Sequence, residues 1–82
     1  RLTNHFQRAF RKLPPDLQGL AIKRDYYFRR EPFAHSLRTH KLKGDLEGYW
    51  TYSVSYQYRV LFRFLNDREV VYYDIGPHDI YQ

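Results

Sequence analysis

From residue 49 to residue 76 the chain reads as three extended runs, 49–55, 58–65 and 69–76, each rich in Tyr, Trp, Phe, Val or Thr. The separators, Ser55-Tyr56-Gln57 and Asn66-Asp67-Arg68, are too short for a crossover helix, so neighbouring strands are antiparallel hairpins in a three-stranded meander. Alternation sorts the side chains by face. Trp50, Tyr52 and Val54 share one side, which reads as buried, and Tyr49, Thr51, Ser53 and Ser55 share the other. In the second run Val60, Phe62 and Phe64 fall together, which leaves Arg59, Leu61 and Arg63 on the open face. The third is apolar on both parities, Val71, Tyr73 and Ile75 against Val70, Tyr72 and Asp74, so alternation does not assign its core side.

Upstream the period changes. Leu2, Phe6, Ala9, Phe10 and Leu13 recur at helical spacing, with Thr3 or Asn4 as N-cap and a stop before Pro14. Arg8, Arg11 and Lys12 lie off that stripe. Pro14-Pro15-Asp16 makes a turn and starts a second helix, because proline is tolerated in the first turn and an early acid suits the helix dipole. Its packing side is Leu17, Leu20, Ala21, Tyr27 and Phe28, with Lys23, Arg24, Arg29 and Arg30 exposed. Gly19 weakens it by about 1 kcal/mol, and Pro32 ends it by Glu31. Residues 31–48 read as a connecting segment anchored by Leu37 and Leu42, and residues 78–81 as a tail beside a strand end. The fold class that follows is α+β: one domain over residues 1–82, a small antiparallel β-sheet with an N-terminal helical hairpin packed on one face.

Eighty-two residues bury only about 60% of the surface their unfolded chain exposes. No cysteine is present to add a disulfide or a thiolate metal site, while aromatics, 20% of the chain, supply large apolar areas. No apolar run approaches the roughly 20 residues of a membrane span, and no signal peptide is recognisable, so a soluble, cytoplasmic protein is expected. The chain begins at Arg1 rather than Met, and native residues, including an entire strand, are expected before it. Charge is asymmetric. Residues 1–43 hold eleven Lys and Arg against three acids, a balance of +8, and residues 44–82 hold three against six, a balance of −3. A basic half suits a polyanion or an acidic protein partner.

Four side chains stand out as chemistry. His40 precedes the first strand, Arg59 lies on the open face of the second, and His78 and Tyr81 follow the third, so a meander can bring them together. An imidazole titrates near 6.5 and serves as acid or base. Arg59 can neutralise a phosphorane, Lys41 and Lys43 can hold flanking phosphates, and Ser53, Gln57 and Arg63 complete the candidate contacts to RNA. This set suits cleavage of RNA through its own 2′-hydroxyl, with no metal or cofactor, and DNA lacks the nucleophile. Other chemistries fare worse. A zinc site from His35, His40 and His78 lacks a CxxC or HExxH framework, Ser53 or Ser55 has no GxSxG around it, and Gly44 and Gly76 make no phosphate loop. Tyr49, Tyr56 and Tyr72 either stack bases or pack the sheet, and His5 and His35 read as surface residues.

The order of motifs is familiar. Phe6, Phe10, Leu13 and Pro14, then His40-Lys41-Leu42-Lys43-Gly44, Gly48-Tyr49-Trp50, Tyr58-Arg59-Val60-Leu61-Phe62, and Asp74-Ile75-Gly76-Pro77-His78-Asp79 with Tyr81 together resemble the RelE/ParE superfamily of bacterial toxin-antitoxin toxins. The resemblance spans nearly the whole chain and implies a small antiparallel sheet under a helical hairpin, opened by a strand that here would precede Arg1. It is nearest to the ribosome-dependent mRNA interferases of the RelE, YoeB and YafQ type. It implies a general base at His40, phosphate stabilisation at Arg59, a general acid at His78 and a terminal aromatic at Tyr81, although the residues alone leave acid and base unassigned. Thr51 and Ser53 stand where RelE has lysines, and YafQ has a His at the latter, so part of the basic site is replaced. The partners implied are a cognate antitoxin protein, mRNA in the ribosomal A site, and operator DNA for the toxin-antitoxin complex. Two alternatives share the fold: a ParE-like poison of DNA gyrase, whose members generally lack such a His/Arg set, and an inactive remnant kept for binding.

Overall fold

The computed structural model describes residues 1–80. Helix α1, Asn4–Arg11, begins where Thr3, in extended conformation, accepts a hydrogen bond on its hydroxyl from the Phe6 amide, and this satisfies an otherwise orphaned donor. Helix α2, Pro15–Arg30, starts on its own proline with Asp16 in the first turn, and stops at Glu31 ahead of Pro32. Four strands follow: β1 His40–Lys41, β2 Trp50–Ser53, β3 Tyr58–Phe64 and β4 Val70–Pro77. They form an antiparallel sheet in the order β1-β2-β3-β4, so the expected meander stands with one more strand at its edge. With only two residues, β1 is too short for period 2 to betray it; it is held by pairing His40 with Thr51 and Lys41 with Trp50. At the far side, Leu2 bridges Tyr72 in parallel and carries the entry to α1 along β4.

The helical hairpin covers one sheet face. Phe28 of α2 stacks on Tyr52 at 4.5 Å between ring centroids and meets Phe62 edge-on at 4.9 Å, while Phe6 of α1 lies 5.3 Å from Tyr72. Leu37, fully buried, closes this core from the connecting segment. The undecided face of β4 has a simple cause. Leu61 pairs with Asp74 but Phe62 pairs with Tyr72, so Tyr73 is an extra residue, a β-bulge. Across it parity reverses, and Tyr72 and Ile75, of opposite parity, both enter the helix-covered core.

The other sheet face is less open than alternation implied. Leu42 and Leu61 are buried there with Leu46, Tyr49 and Tyr73 around them, and Thr51 and Ser53 are buried as well. The connecting segment lies over this side and anchors through Leu42. On α2 two assignments change: Tyr27 is exposed rather than packed, and Arg24 is half-buried rather than solvated. Among the described residues no helix is long and apolar enough to cross a membrane.

Two polar features of this interior are testable. The buried Tyr52 hydroxyl donates to that of Tyr72, 3.1 Å away, which donates to Asp25 Oδ1 at 2.7 Å, and Arg29 donates to the same carboxylate. Burial is the first reason that both phenols titrate well above their ordinary value. The neutral forms are favoured in the fold, so this stabilisation is whole below about pH 10 and is lost as pH rises beyond it. Tyr72→Phe strands the Tyr52 hydroxyl and is expected to cost about 1–3 kcal/mol in urea unfolding at neutral pH. Thr51 poses the converse case, a fully buried hydroxyl whose Oγ1 has no hydrogen-bond partner among the described residues. Thr51→Val is expected to raise stability by about 1 kcal/mol in the same measurement, and a loss would show that the hydroxyl is satisfied in solution.

Candidate functional site

Where β2 ends and β3 begins, Ser53 pairs with Arg59, and Arg59 pairs in turn with Gly76 on β4. The position beside Arg59 on the β4 side therefore carries no side chain, and the row is low. Around it opens a cleft of about 220 Å³ lined by Arg24, Ser36, Arg38, Ser53, Val54, Ser55, Tyr56 and Arg59. Three elements supply its cations: α2, the connecting segment and β3. Among the described residues no carboxylate lines it.

Each arginine is held differently. Arg24 Nε donates to the Val54 carbonyl at 3.2 Å, which ties the middle of α2 to the end of β2. Arg38 follows the 3₁₀ turn His35–Leu37 in the left-handed region, φ 51°, which a non-glycine residue seldom adopts. Arg59 is half-buried, and its Nε is buried with no hydrogen-bond partner among the described residues. Burial, and next the charge of Arg38, pull the Arg59 pKa below the usual guanidinium value. Two like charges and an unpaired donor in one cleft are a cost that a nearby anion would offset.

The remaining candidates sort by distance from this cleft. His78 opens the last 3₁₀ turn; its amide donates to the Gln57 carbonyl at 2.6 Å, and its ring centre lies 5.9 Å from that of Tyr56. Tyr56, 80% exposed, stands at the rim as a platform that a base can stack on. His40 occupies the next register row on β1, beside Thr51 and on the same sheet face as Arg59, two strand spacings across and two residues along, or about 12 Å away between backbones. It does not line the cleft. Its Nδ1 lies 2.7 Å from the Arg38 carbonyl, which can only accept, so in the neutral ring Nδ1 carries the proton and Nε2 keeps its lone pair.

Several candidates point elsewhere. Lys41 is on the opposite sheet face, its ammonium 5.6 Å from the Trp50 ring centre. Lys43 is exposed at the start of the 3₁₀ turn Gly44–Leu46. Arg63 shares the face of Arg59 but lies over the Tyr49 ring, 5.3 Å from its centre. Gln57 acts through its carbonyl, on His78. Tyr72 is buried in the core and Tyr49 packs against Tyr73, which leaves Tyr56 as the exposed ring of the three. Tyr81 lies outside the described residues. Among the described residues no three His, Cys, Asp or Glu side chains gather as metal ligands, and His35, His40 and His78 do not form such a group.

Reading the sequence as strands and loops missed Arg24 and Arg38. A signal for Arg24 existed: it sits three residues after Ala21 and four before Phe28, on the buried stripe of α2. For Arg38 there was none, because nothing in a run of loop residues announces a left-handed conformation.

No protein-family model and no curated protein sequence matches this chain. Solved structures do. The RelBE2 toxin-antitoxin complex of Mycobacterium tuberculosis includes a chain that matches over 94% of this one and 93% of its own length, with a TM-score of 0.77 at 24% identity. YafQ from E. coli matches over 98% and 92%, with a TM-score of 0.77 at 13% identity. A YoeB/ParE toxin from Agrobacterium tumefaciens matches over 94% of each chain, with a TM-score of 0.75 at 18% identity. At such identities the agreement is one of architecture, and it runs almost end to end in both directions. The likeness implied by the order of motifs therefore holds at the level of the fold: the chain has the α+β fold of the RelE/ParE toxins.

Proposed function

We propose that this chain is the toxin of a toxin-antitoxin pair, an endoribonuclease that cuts mRNA on the ribosome by attack of the 2′-hydroxyl. One observation carries the reading: the half-buried guanidinium of Arg59, its Nε unpaired, sits in a cleft of cations and hydroxyls with Tyr56 at the rim and His78 beside Tyr56. Such a site is built for a phosphodiester with a base stacked next to it. The neighbouring register row brings the exposed His40, whose Nδ1 hydrogen bond to the Arg38 carbonyl leaves the lone pair on Nε2. Between His40 and Arg59 the row carries only the small, buried side chains of Thr51 and Ser53, of which Ser53 lines the cleft beside Arg59.

The chemistry follows from these roles. Nε2 of His40 takes the 2′-OH proton as the oxygen attacks the adjacent phosphorus. Arg59 carries the charge that develops on the non-bridging oxygens. His78 protonates the 5′-oxygen as its bond to phosphorus breaks, leaving a 2′,3′-cyclic phosphate and a 5′-hydroxyl. Tyr81 is assigned the terminal aromatic's part on the sequence resemblance alone. The solved RelBE2 and E. coli DinJ–YafQ structures are toxin-antitoxin complexes. By that likeness a small antitoxin is the partner here, acidic enough to answer the +8 balance of residues 1–43, and the cytoplasm, where ribosomes are, is the site of action.

Two experiments test this. In primer extension on mRNA from expressing cells, ribosome-linked cuts are expected with the native chain. Arg59→Ala or His78→Ala should reduce them by about 10²–10³-fold, and a 2′-deoxy nucleotide at the scissile position should abolish them in a reconstituted assay. Intact mRNA with damaged DNA would instead favour a gyrase poison. Inorganic phosphate, by occupying the cleft, is expected to raise the thermal midpoint of the native protein in a concentration-dependent way, worth about 2.7 kcal/mol at a hundredfold excess over Kd. Arg59→Gln should remove that response; an equal shift in the variant would mean that phosphate binds elsewhere.

A further inference from the structure

If Arg59 holds the scissile phosphate, the chain on either side of it needs further positive charge, and the positions from which that charge was expected do not provide it. From β2 the cleft receives the uncharged Ser53, with Thr51 buried one row away, Lys41 is turned to the opposite sheet face, and Arg63 lies over Tyr49. The remaining cations of the cleft are Arg24 and Arg38. Neither has a carboxylate partner among the described residues.

We propose that Arg24 of α2 and Arg38 of the connecting segment are the phosphate-binding residues that flank Arg59, and that single-stranded nucleic acid enters the cleft against this pair. This deepens, and rests on, the reading of the cleft as an RNA site. Arg24 spends Nε on the Val54 carbonyl, which fixes the guanidinium plane and leaves its two terminal nitrogens for a ligand in the cleft. Arg38 is exposed, yet its backbone is held in a left-handed conformation, a cost borne where the turn delivers that side chain to the cleft mouth. Its carbonyl also receives the His40 ring, so one residue both positions the base and meets the substrate. The like charge of Arg38 beside Arg59 is unfavourable by itself and is offset once a phosphate lies between them.

The test uses binding, so that it is independent of cleavage. A fluorescent single-stranded DNA oligonucleotide carries the phosphates and lacks the 2′-hydroxyl, and its affinity is measured against salt concentration. Arg24→Gln and Arg38→Gln are each expected to weaken binding about tenfold and to lower the salt slope by about 0.7, the value for one phosphate contact on a single strand. Arg8→Gln, an exposed charge at the end of α1, serves as control and should leave the slope unchanged. Arg24→Lys keeps the charge without the planar fork, so it should retain the slope while losing affinity. Arg38→Gly keeps the left-handed backbone and guards against misfolding as the cause. Slopes unchanged in both glutamine variants, or lowered as much in the α1 control, would overturn the proposal. Were the slope to fall as expected while no RNA is cut, the flanking pair would stand and the nuclease reading would fall; cleavage intact with unchanged slopes would mean the reverse.

Discussion

The seating of Phe28 on Tyr52 and Phe62 is the contact on which the rest depends. A chain this small has one principal core, and that core is aromatic: rings from both helices interlock with rings on β2, β3 and β4. Seating Phe28 determines the roll of α2 about its axis. The same roll puts Arg24, one helical turn earlier on the same stripe, under the end of β2 rather than in water. A packing decision thus becomes an electrostatic one, and the cleft acquires a cation from an element that otherwise only covers the sheet.

The β-bulge at Tyr73 does comparable work on the far side. By reversing parity it lets Tyr72 and Ile75 both face the helices, and it leaves Tyr73 on the other face, where it packs with Tyr49 against the Leu42 and Leu61 cluster. That cluster anchors the connecting segment, and the connecting segment presents Arg38 and His40. The two faces of the sheet are therefore not one core and one solvent side. Each is packed on the side that must be rigid, and the cleft opens at the strand ends between them.

Stability and function pull apart in the cleft. Arg59 has a buried Nε without a partner among the described residues and a like charge nearby, and Arg38 adopts a backbone conformation disfavoured for its type. Thr51 adds an unsatisfied hydroxyl one register row away. In a domain with little surplus stability, these costs are concentrated in and beside one cleft, which is the pattern expected of a binding site. The satisfied network of Tyr52, Tyr72 and Asp25, buried away from the cleft, shows the opposite case, in which every hydroxyl has a role in holding α2 to the sheet.

Much of this was legible from residues alone. The prolines at 14, 15 and 32 bound α2, Thr3 marked the start of α1, and alternation placed Tyr52, Val60 and Phe62 in the core and Arg59 on the other face. These features are local, set by backbone sterics and side-chain period, which a linear chain displays directly. The order of motifs also carried the fold likeness that the solved structures bear out. What tertiary structure decided was non-local: the edge strand β1, which exists only because β2 is there to pair with it, the bulge that resolves the two parities of β4, the turning of Lys41 onto Trp50, and the recruitment of Arg24 and Arg38. Each depends on which distant surface a residue meets, and periodicity along one chain carries no information about the surface that arrives from another element.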